Sequence, residues 1–535
     1  MVRHYRLTSP AGAIDEKYDH TGTKPDSAYG GAMRAARWAL ILLGLTPFAA
    51  QATVPRDTLV VATQLDDLIS LDPAEIFEIG GAEVAANLYR RLIGFEPGLW
   101  DRPVGDLAQI WQVEREGRRY VFVLRTDARF ASGRTVNAED VVGSWRRVLA
   151  KDKAPAAVLR SIGLSPERLS IAQGQVAIDL PEALAPGLVL AVLASTAASV
   201  IDLQAIADKP EGWLGRNSAG AGAFELAHWS PQERVTLRRN PHHPQPATMA
   251  RIVLRHVAEP TTQRLMLQRG DVDLARNLGP DLMAGLGRFP DLAVAAYPKA
   301  ALYYLAVNRR RPTLAEDGAL AAIKSALDVP ALVAATLGAR GRPHAGIVPA
   351  GFLGAAEEGH AAPKPAPWPA GLTLDVRAAP PTLDLAEAIQ AQLAKAGIAV
   401  AIQPGDSKTV LTRYRARRHD LVIARWAPDF ADPHANAEPF SRNPDNGDAA
   451  GERTPAWRNG WVDAEAMALV EQAVREFDSE RRAALYRRLQ AIHRQRGPFV
   501  ILAQEVEIVA MRRGLAGLVN GPLPEMLRFE SVTKP

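Results

Sequence analysis

The sequence contains no cysteine. This excludes a disulfide framework, thiol catalysis, cysteine ligands for zinc, and attachment to a membrane through a lipidated N-terminal cysteine. If the chain is exported, we therefore expect the mature protein to be free in solution and to carry no lipid anchor.

The chain also lacks a strong excess of either charge, since it contains 63 Lys and Arg residues and 59 Asp and Glu residues. Nucleic-acid binding would require a concentrated basic face, and the short basic cluster at 415–418 is better explained as a solvated helix end. We predict a monomer with no nucleic-acid partner. The length of 535 residues exceeds what one hydrophobic core usually supports, so two or three domains are expected.

Common catalytic signatures are missing as well. The sequence has no phosphate-binding loop ending in Lys-Ser/Thr, no H-E-x-x-H and no G-x-S-x-G. Its eleven histidines are scattered, and the one adjacent pair, His242 and His243, fits a surface loop better than a metal site. We therefore predict a non-enzymatic protein without a cofactor or metal. A secreted hydrolase stays open as an alternative, although no nucleophile–base pair stands out.

Residues 33–52 have the three regions of a cleavable export signal. Arg34 and Arg37 precede an apolar run at 38–50, and Ala50-Gln51-Ala52 is a small-x-small cleavage site. The run is shorter than the roughly 20 residues that a membrane-spanning helix needs. We predict export across the membrane with cleavage of this signal, translation starting at Met33 and residues 1–32 forming an upstream extension.

After residue 53 the pattern alternates between short β-branched runs and amphipathic stretches. Strands are predicted at 58–63, 119–125, 176–180, 234–238, 251–257, 373–376, 398–402 and 421–424, and helices at 82–93, 262–268, 385–396 and 464–494. This alternation is typical of α/β domains with mixed sheets. Gly220 and Gly222 indicate a tight crossover in which side chains would clash.

One loop combines features that suit ligand capture. Residues 426–433 (WAPDFADP) contain two aromatic residues, two acids and two prolines directly after a predicted strand. An acid held among aromatic groups at a strand end can bind a ligand cation. A structural Asx turn with packed aromatic rings is an equally good interpretation of the loop alone.

The order of motifs resembles the extracellular solute-binding proteins of family 5, which serve dipeptide, oligopeptide and nickel ABC importers. The resemblance covers nearly all of residues 58–520. It is carried by TLVV at 58–61, LDP at 71–73, NLYRRL at 87–92, LAQIW at 107–111, YVFVLR at 120–125, FASG at 130–133, AEDVV at 138–142, AGAGAF at 219–224, LRRNP at 237–241, GDVD at 270–273, YYLAVN at 303–308 and WAPDFADP at 426–433.

This resemblance implies an α/β, type II periplasmic binding protein fold with three lobes. Lobe I would comprise 53–89, 198–295 and 499–535, lobe II would be inserted at 90–197, and lobe III would span 296–498. The two mixed-sheet lobes I and III would close on a ligand between them, and closure would shield polar contacts from water.

The resemblance also implies a set of ligand-binding residues. Asp429 would pair with the α-ammonium of a peptide, and Trp426 would form a wall of the pocket. Phe77, Glu78 and Ile79 occupy the segment where relatives offer backbone hydrogen bonds to an extended peptide.

Four further candidates follow from the same resemblance. Arg276 and Asn277 stand where relatives place polar pocket residues, and Arg276 could bind a ligand carboxylate. Tyr303 and Tyr304 are neighbours on a strand, so their side chains should lie on opposite faces and at most one should face the ligand.

The implied function is periplasmic capture of a small peptide and its delivery to the transmembrane subunits of an ABC permease, with ATPase subunits on the far side. A nickel or metal-chelate binder of the same family is the alternative, because His434 follows Asp432 and Pro433.

Overall fold

A computed structural model describes residues 54–356, 359–360, 364 and 371–535. The predicted signal at 33–52 and the upstream extension lie outside the described residues. Among the residues described, no single helix is long and apolar enough to cross a membrane, and only the bent pair Asp317–Ala326 and Val329–Thr336 reaches that length and composition when taken together.

The strands are β1 Thr58–Thr63, β2 Ile93–Glu96, β3 Leu99–Gly105, β4 Ala108–Glu114, β5 Arg119–Leu124, β6 Leu169–Ala172, β7 Gln175–Asp179, β8 Phe224–Ser230, β9 Arg234–Arg239, β10 Arg251–His256, β11 Leu274–Ala275, β12 Leu292–Val307, β13 Gly341–Pro343, β14 Leu372–Arg377, β15 Val400–Gly405, β16 Leu421–Trp426, β17 Phe499–Arg512, β18 Val519–Asn520 and β19 Leu527–Arg528.

The helices are α1 Ile79–Leu88, α2 Ala138–Lys151, α3 Ala154–Arg160, α4 Pro186–Leu193, α5 Pro260–Arg269, α6 Pro280–Met283, α7 Asp317–Ala326, α8 Val329–Thr336, α9 Thr382–Lys395, α10 Ser407–Arg415, α11 His434–Ser441, α12 Pro455–Arg458, α13 Ala464–Ala473 and α14 Ser479–Arg496.

Two long antiparallel strands organise the main sheet, whose order is β15-β14-β16-β12-β17-β11-β1-β10-β9-β8, with β13 also paired to β17. Strands β12 and β17 pair from Leu292 opposite Arg512 to Ala306 opposite Phe499. One end of this ribbon joins β16 and the other joins β11. The ribbon therefore connects two mixed half-sheets, and its pairing is interrupted between Pro298 and Leu302.

The predicted doubly buried strand lies at the centre of one half-sheet. Strand β1 pairs in parallel with β10 on one side and β11 on the other, and Leu59, Val61 and Ala62 are fully buried. A run of apolar residues without alternation is what a strand covered on both faces requires. A separate four-stranded sheet, ordered β4-β5-β7-β6, packs against α2 within residues 108–179.

The glycine crossover has the physical cause that the sequence suggested. A Cβ atom at Gly220 would lie 1.9 Å from the carbonyl oxygen of Leu88, and one at Gly222 would lie 2.2 Å from that of Asn87. Only glycine permits this close approach of two backbone segments. The crossover thus fixes the C-terminal end of α1, whose N-terminal end borders the cleft described below.

Candidate ligand-binding cleft

A cavity of about 490 Å³ opens where the long ribbon passes between the two half-sheets. Its wall is built from the N-terminal end of α1, the segment after β11, the interrupted part of β12, the middle of β17, the loop after β16 and residues 522–525. Six of the predicted site residues line it, namely Phe77, Glu78, Ile79, Arg276, Asn277 and Asp429.

Asp429 lies in the loop that follows β16 and faces this cavity. Its side chain is exposed to the cleft, yet the surrounding protein removes it from bulk water and raises its pKa. Across the described residues the carboxylate forms no ion pair and no hydrogen bond. The cleft therefore contains a carboxyl group that has no counter-charge from the described residues.

The second acid of the same loop has a structural role. Both oxygens of Asp432 accept hydrogen bonds from the guanidinium of Arg482, each at 2.7 Å, and both side chains are buried. Asp432 Oδ1 also accepts from the backbone N–H of His434 at 2.9 Å. This pair anchors the C-terminal end of the loop against α14 and thereby positions Asp429.

Trp426 was predicted to form a wall of the pocket, but it is not among the residues that line the cleft. Its ring packs edge-to-face on Phe440 with 5.7 Å between ring centres. Phe440 belongs to the hydrophobic core beneath the loop, so Trp426 supports the loop from below.

Neither Tyr303 nor Tyr304 lines the cleft either. The two side chains lie on opposite faces of β12, as alternation requires, but both faces are covered by core. Tyr304 packs against Phe440 and Phe499, and its hydroxyl lies 3.3 Å from that of Tyr414. The resemblance implied that at most one of these tyrosines faces the ligand, and the sequence does not reveal that β12 is covered on both sides.

Arg276 lines the cleft, but its charge is already compensated. Nη1 and Nη2 each donate to Glu83 at 2.6 Å, and Nε donates to Glu507 at 2.6 Å. Burial opposes the charge of Arg276, but Glu507 and Glu83 outweigh burial and hold its pKa well above the ordinary value. The predicted contact with a ligand carboxylate would have to compete with two carboxylates of the protein.

Asn277 connects three segments at the cleft wall. Its Oδ1 accepts from the backbone N–H of Gln64 at 2.9 Å, from the hydroxyl of Thr63 at 3.3 Å and from Nε2 of Gln263 at 3.4 Å. The amide oxygen thus holds the end of β1 against α5. This arrangement gives Asn277 a positioning role at the cleft.

The rim of the cleft is apolar at the start of α1. The side chains of Phe77 and Ile79 are 72% and 46% exposed, which is high for large apolar residues. Glu78 lies between them, and its Oε2 accepts from the backbone N–H of Phe77 at 3.2 Å. That this segment offers backbone hydrogen bonds to a bound peptide remains a prediction.

Several cleft residues were not predicted from the sequence. Lys299 and Glu507 form an ion pair at 2.9 Å, and Arg425 and Glu505 form one at 2.7 Å. Glutamates two residues apart within the apolar strand β17 were a detectable signal, because both must lie on the same face. Arg340 and Glu525 also line the cleft, and they lie in no recognisable motif.

The histidine behind the metal alternative lies outside the cleft lining. His434 is buried at the N-terminal end of α11, where its Nε2 lies 3.4 Å from Glu438. Over residues 54–356, 359–360, 364 and 371–535, no group of three or more His, Cys, Asp or Glu side chains is arranged to hold a metal ion.

Two mixed half-sheets are joined by a long ribbon and have a charged cleft between them. This is the architecture of solute-binding proteins that hold a ligand between two lobes. Residues 102–448 match the family described as bacterial extracellular solute-binding proteins, family 5 Middle. The chain belongs to this family, and the predicted family and fold class are confirmed.

Comparisons with individual proteins agree with this assignment. The chain is 29% identical to the probable D,D-dipeptide-binding periplasmic protein DdpA of Escherichia coli K12, over 91% of this chain and 96% of that protein. The structure is similar to Helicobacter pylori DppA in complex with peptide STSA, with a TM-score of 0.72 and 22% identity over 89% and 98% of the two chains. It is also similar to a dipeptide-binding protein of Pseudoalteromonas sp. SM9913 in complex with Met-Leu, with a TM-score of 0.72 and 19% identity over 89% and 100%.

Proposed function

We propose that this protein is the periplasmic substrate-binding component of an ABC importer and that it binds a small peptide in the cleft described above. The observation that carries this proposal is the carboxylate of Asp429, which has no partner among the described residues and faces a cavity of about 490 Å³. A peptide α-ammonium would supply the missing positive charge. The names of the dipeptide-binding relatives and the peptide complexes of the similar structures support the same ligand class.

Arg340 is our candidate for binding the peptide carboxylate, in place of Arg276. It lines the same cavity, and in the part of the chain that the structure describes its side chain forms no ion pair or hydrogen bond. A guanidinium can bind a carboxylate through two parallel hydrogen bonds. Asp429 and Arg340 would then satisfy the two charged ends of a zwitterionic peptide.

Delivery to the importer requires export and closure. The signal predicted at 33–52 would direct the chain to the periplasm, and the chain would remain without a lipid anchor because it has no cysteine. The three lobes predicted at 53–89 with 198–295 and 499–535, at 90–197 and at 296–498 would close by bending of the ribbon. The closed form would then dock on the transmembrane subunits of a permease.

Calorimetric titration of protein purified after export of the full chain tests the proposal. The panel contains L-Ala-L-Ala, D-Ala-D-Ala, tri-alanine, N-acetylated Ala-Ala, and nickel with small chelators. We expect at least one free-amine peptide to bind and its N-acetylated form to bind at least about 100-fold more weakly. Nickel binding without any peptide binding would favour the metal-chelate alternative, and peptide fragments recovered by mass spectrometry would favour a hydrolase.

Replacing Arg340 with glutamine tests its proposed contact with the carboxylate of the peptide. We expect the Kd for a free-acid dipeptide to rise about 10- to 100-fold, because a charge-assisted contact of about 1.5–3 kcal/mol is lost. A C-terminally amidated dipeptide should bind both proteins similarly, since it offers no carboxylate. An equal loss for the amidated and free-acid peptides would contradict the assigned role.

A further inference from the structure

The charges that line the cleft do not cancel. Glu83 and Glu507 are compensated by Arg276 and Lys299. Glu505 is likewise compensated by Arg425. These residues therefore neutralise one another within the protein and require no charge from a ligand.

The remaining charged groups of the lining are three acids and one base. If the proposed function holds, a zwitterionic peptide satisfies Asp429 with its ammonium and Arg340 with its carboxylate. Among the described residues, Glu78 at the rim and Glu525 deeper in the cleft are then left without a counter-charge. A simple dipeptide therefore leaves the cleft negative.

Glu525 is the more informative of the two because it is withdrawn from water. The residue is only 7% exposed, yet it contributes to the cleft wall. Within the described chain, its carboxylate forms no ion pair and no hydrogen bond to another residue. Arg91, on the side away from the cleft, donates from Nη1 to the backbone carbonyl of Glu525 at 3.4 Å and makes no ion pair with its carboxylate. An acid that is buried against protein and open to a ligand cavity is suited to a ligand cation.

The charged groups around Glu525 do not compensate the charge of its carboxylate. Arg91, Arg528 and Glu525 line a small neighbouring cavity, and Asp429 and Glu525 both line the cleft. Burial raises the pKa of Glu525 to about 7, because the attraction of Arg91 is too weak to offset desolvation and Asp429 adds repulsion.

We propose that the cleft selects peptides that carry a second positive charge on a side chain, and that Glu525 receives this charge. The inference rests on the proposed function, because Asp429 and Arg340 must first bind the two ends of the peptide. A side-chain ammonium or guanidinium beside Glu525 would restore charge balance in a site screened from water, where opposite charges interact strongly.

Lysine and norleucine dipeptides separate charge from size. We would titrate Lys-Ala and Ala-Lys against Nle-Ala and Ala-Nle, which have the same aliphatic length without the ammonium. We expect one lysine peptide to bind at least about 10-fold more tightly than its norleucine partner. Equal affinities would overturn this inference while leaving peptide binding intact, whereas no binding of any dipeptide would remove the proposed function itself.

Replacing Glu525 with glutamine should reduce the lysine-to-norleucine affinity ratio to within about threefold of one. The matched control is Glu233→Gln, the same chemical change at an exposed turn, which should keep the wild-type ratio. A Glu525→Gln protein that keeps the full ratio would overturn the assignment.

A measurement on the wild-type protein keeps the test independent of whether that variant folds. A cation beside Glu525 favours its ionised form, so binding of the lysine peptide at pH 7 should release protons. Titrations in phosphate and Tris buffers, which differ in ionisation enthalpy, report the number of protons released. We expect release with the lysine peptide in excess of that with the norleucine peptide, and equal values would overturn the proposal.

Discussion

Replacing Asp429 with asparagine is expected to weaken binding of a free-amine dipeptide by at least about 30-fold. The variant keeps the size of the side chain but removes the negative charge that a buried ammonium would require. Truncating one partner of a desolvated charge pair costs about 2–5 kcal/mol, which corresponds to that loss or more. Calorimetric titration of the wild-type and variant proteins with the same dipeptide measures the effect directly.

Two controls separate charge from structure in this experiment. Asp208→Asn makes the same change at a side chain that is 77% exposed and should bind the peptide like the wild-type protein. An N-acetylated peptide should bind Asp429→Asn and the wild-type protein with similar weak affinity. If Asp429→Asn binds the free-amine dipeptide within threefold of wild type, Asp429 does not carry the ammonium.

The thermal stability of the same variant gives an independent check, because we expect the substitution to weaken binding without lowering stability. Burial raises the pKa of Asp429, so in the ligand-free protein its ionised form is less favourable than in the unfolded chain. This penalty is absent at low pH and develops as the pH rises through the folded-state pKa. Asp429→Asn should therefore unfold no earlier than the wild-type protein at pH 7, even though it fails to bind.

Local patterns predicted much of the fold because they reflect local physical constraints. The run TLVVAT became β1 Thr58–Thr63 with the predicted bounds, since a continuous apolar run suits a strand buried on both faces. Asn137, directly before the amphipathic run at 138–151, caps α2 by accepting a hydrogen bond from the backbone N–H of Asp140 at 2.9 Å. Residues 464–494 are helical as predicted, but α13 ends at Ala473 and α14 begins at Ser479.

The cleft was predicted less completely because its charges come from distant segments. The motif identified Asp429, but it did not reveal that Asp432 pairs with Arg482 fifty residues later. Arg276 was predicted to bind a ligand because its neutralising partners, Glu83 and Glu507, lie 193 and 231 residues away in sequence. Burial and pairing depend on tertiary contacts that a single sequence does not encode locally.

The division between compensated and unpaired charges explains how a binding site can be rigid and still need its ligand. Ion pairs such as those of Arg276 fix side chains on α1, on β17 and directly after β11 before any ligand arrives, which limits the ordering cost of binding. Asp429, in contrast, has no ion-pair or hydrogen-bond partner among the described residues, and burial raises its pKa. If Asp429 binds a ligand cation as proposed, the free energy gained by relieving this penalty would be available to favour closure around the ligand.

The largest expected effect on stability comes from the buried pair of Asp432 and Arg482. Asp432→Asn or Arg482→Met should lower the free energy of unfolding by about 3–5 kcal/mol, because each leaves one buried charge without its partner. Urea denaturation followed by circular dichroism would show this as a lower midpoint with a similar slope.

The matched control is Glu182→Gln, which breaks the exposed pair with Arg475 and should change the free energy of unfolding by less than about 1 kcal/mol. A loss below 1 kcal/mol for Asp432→Asn would show that the pair does not anchor the loop. Where Asp432→Asn is still folded, it should also bind the dipeptide more weakly, because the end of the loop that orients Asp429 is no longer held against α14. Loss of stability with unchanged affinity would instead show that the anchor stabilises the protein without positioning the binding carboxylate.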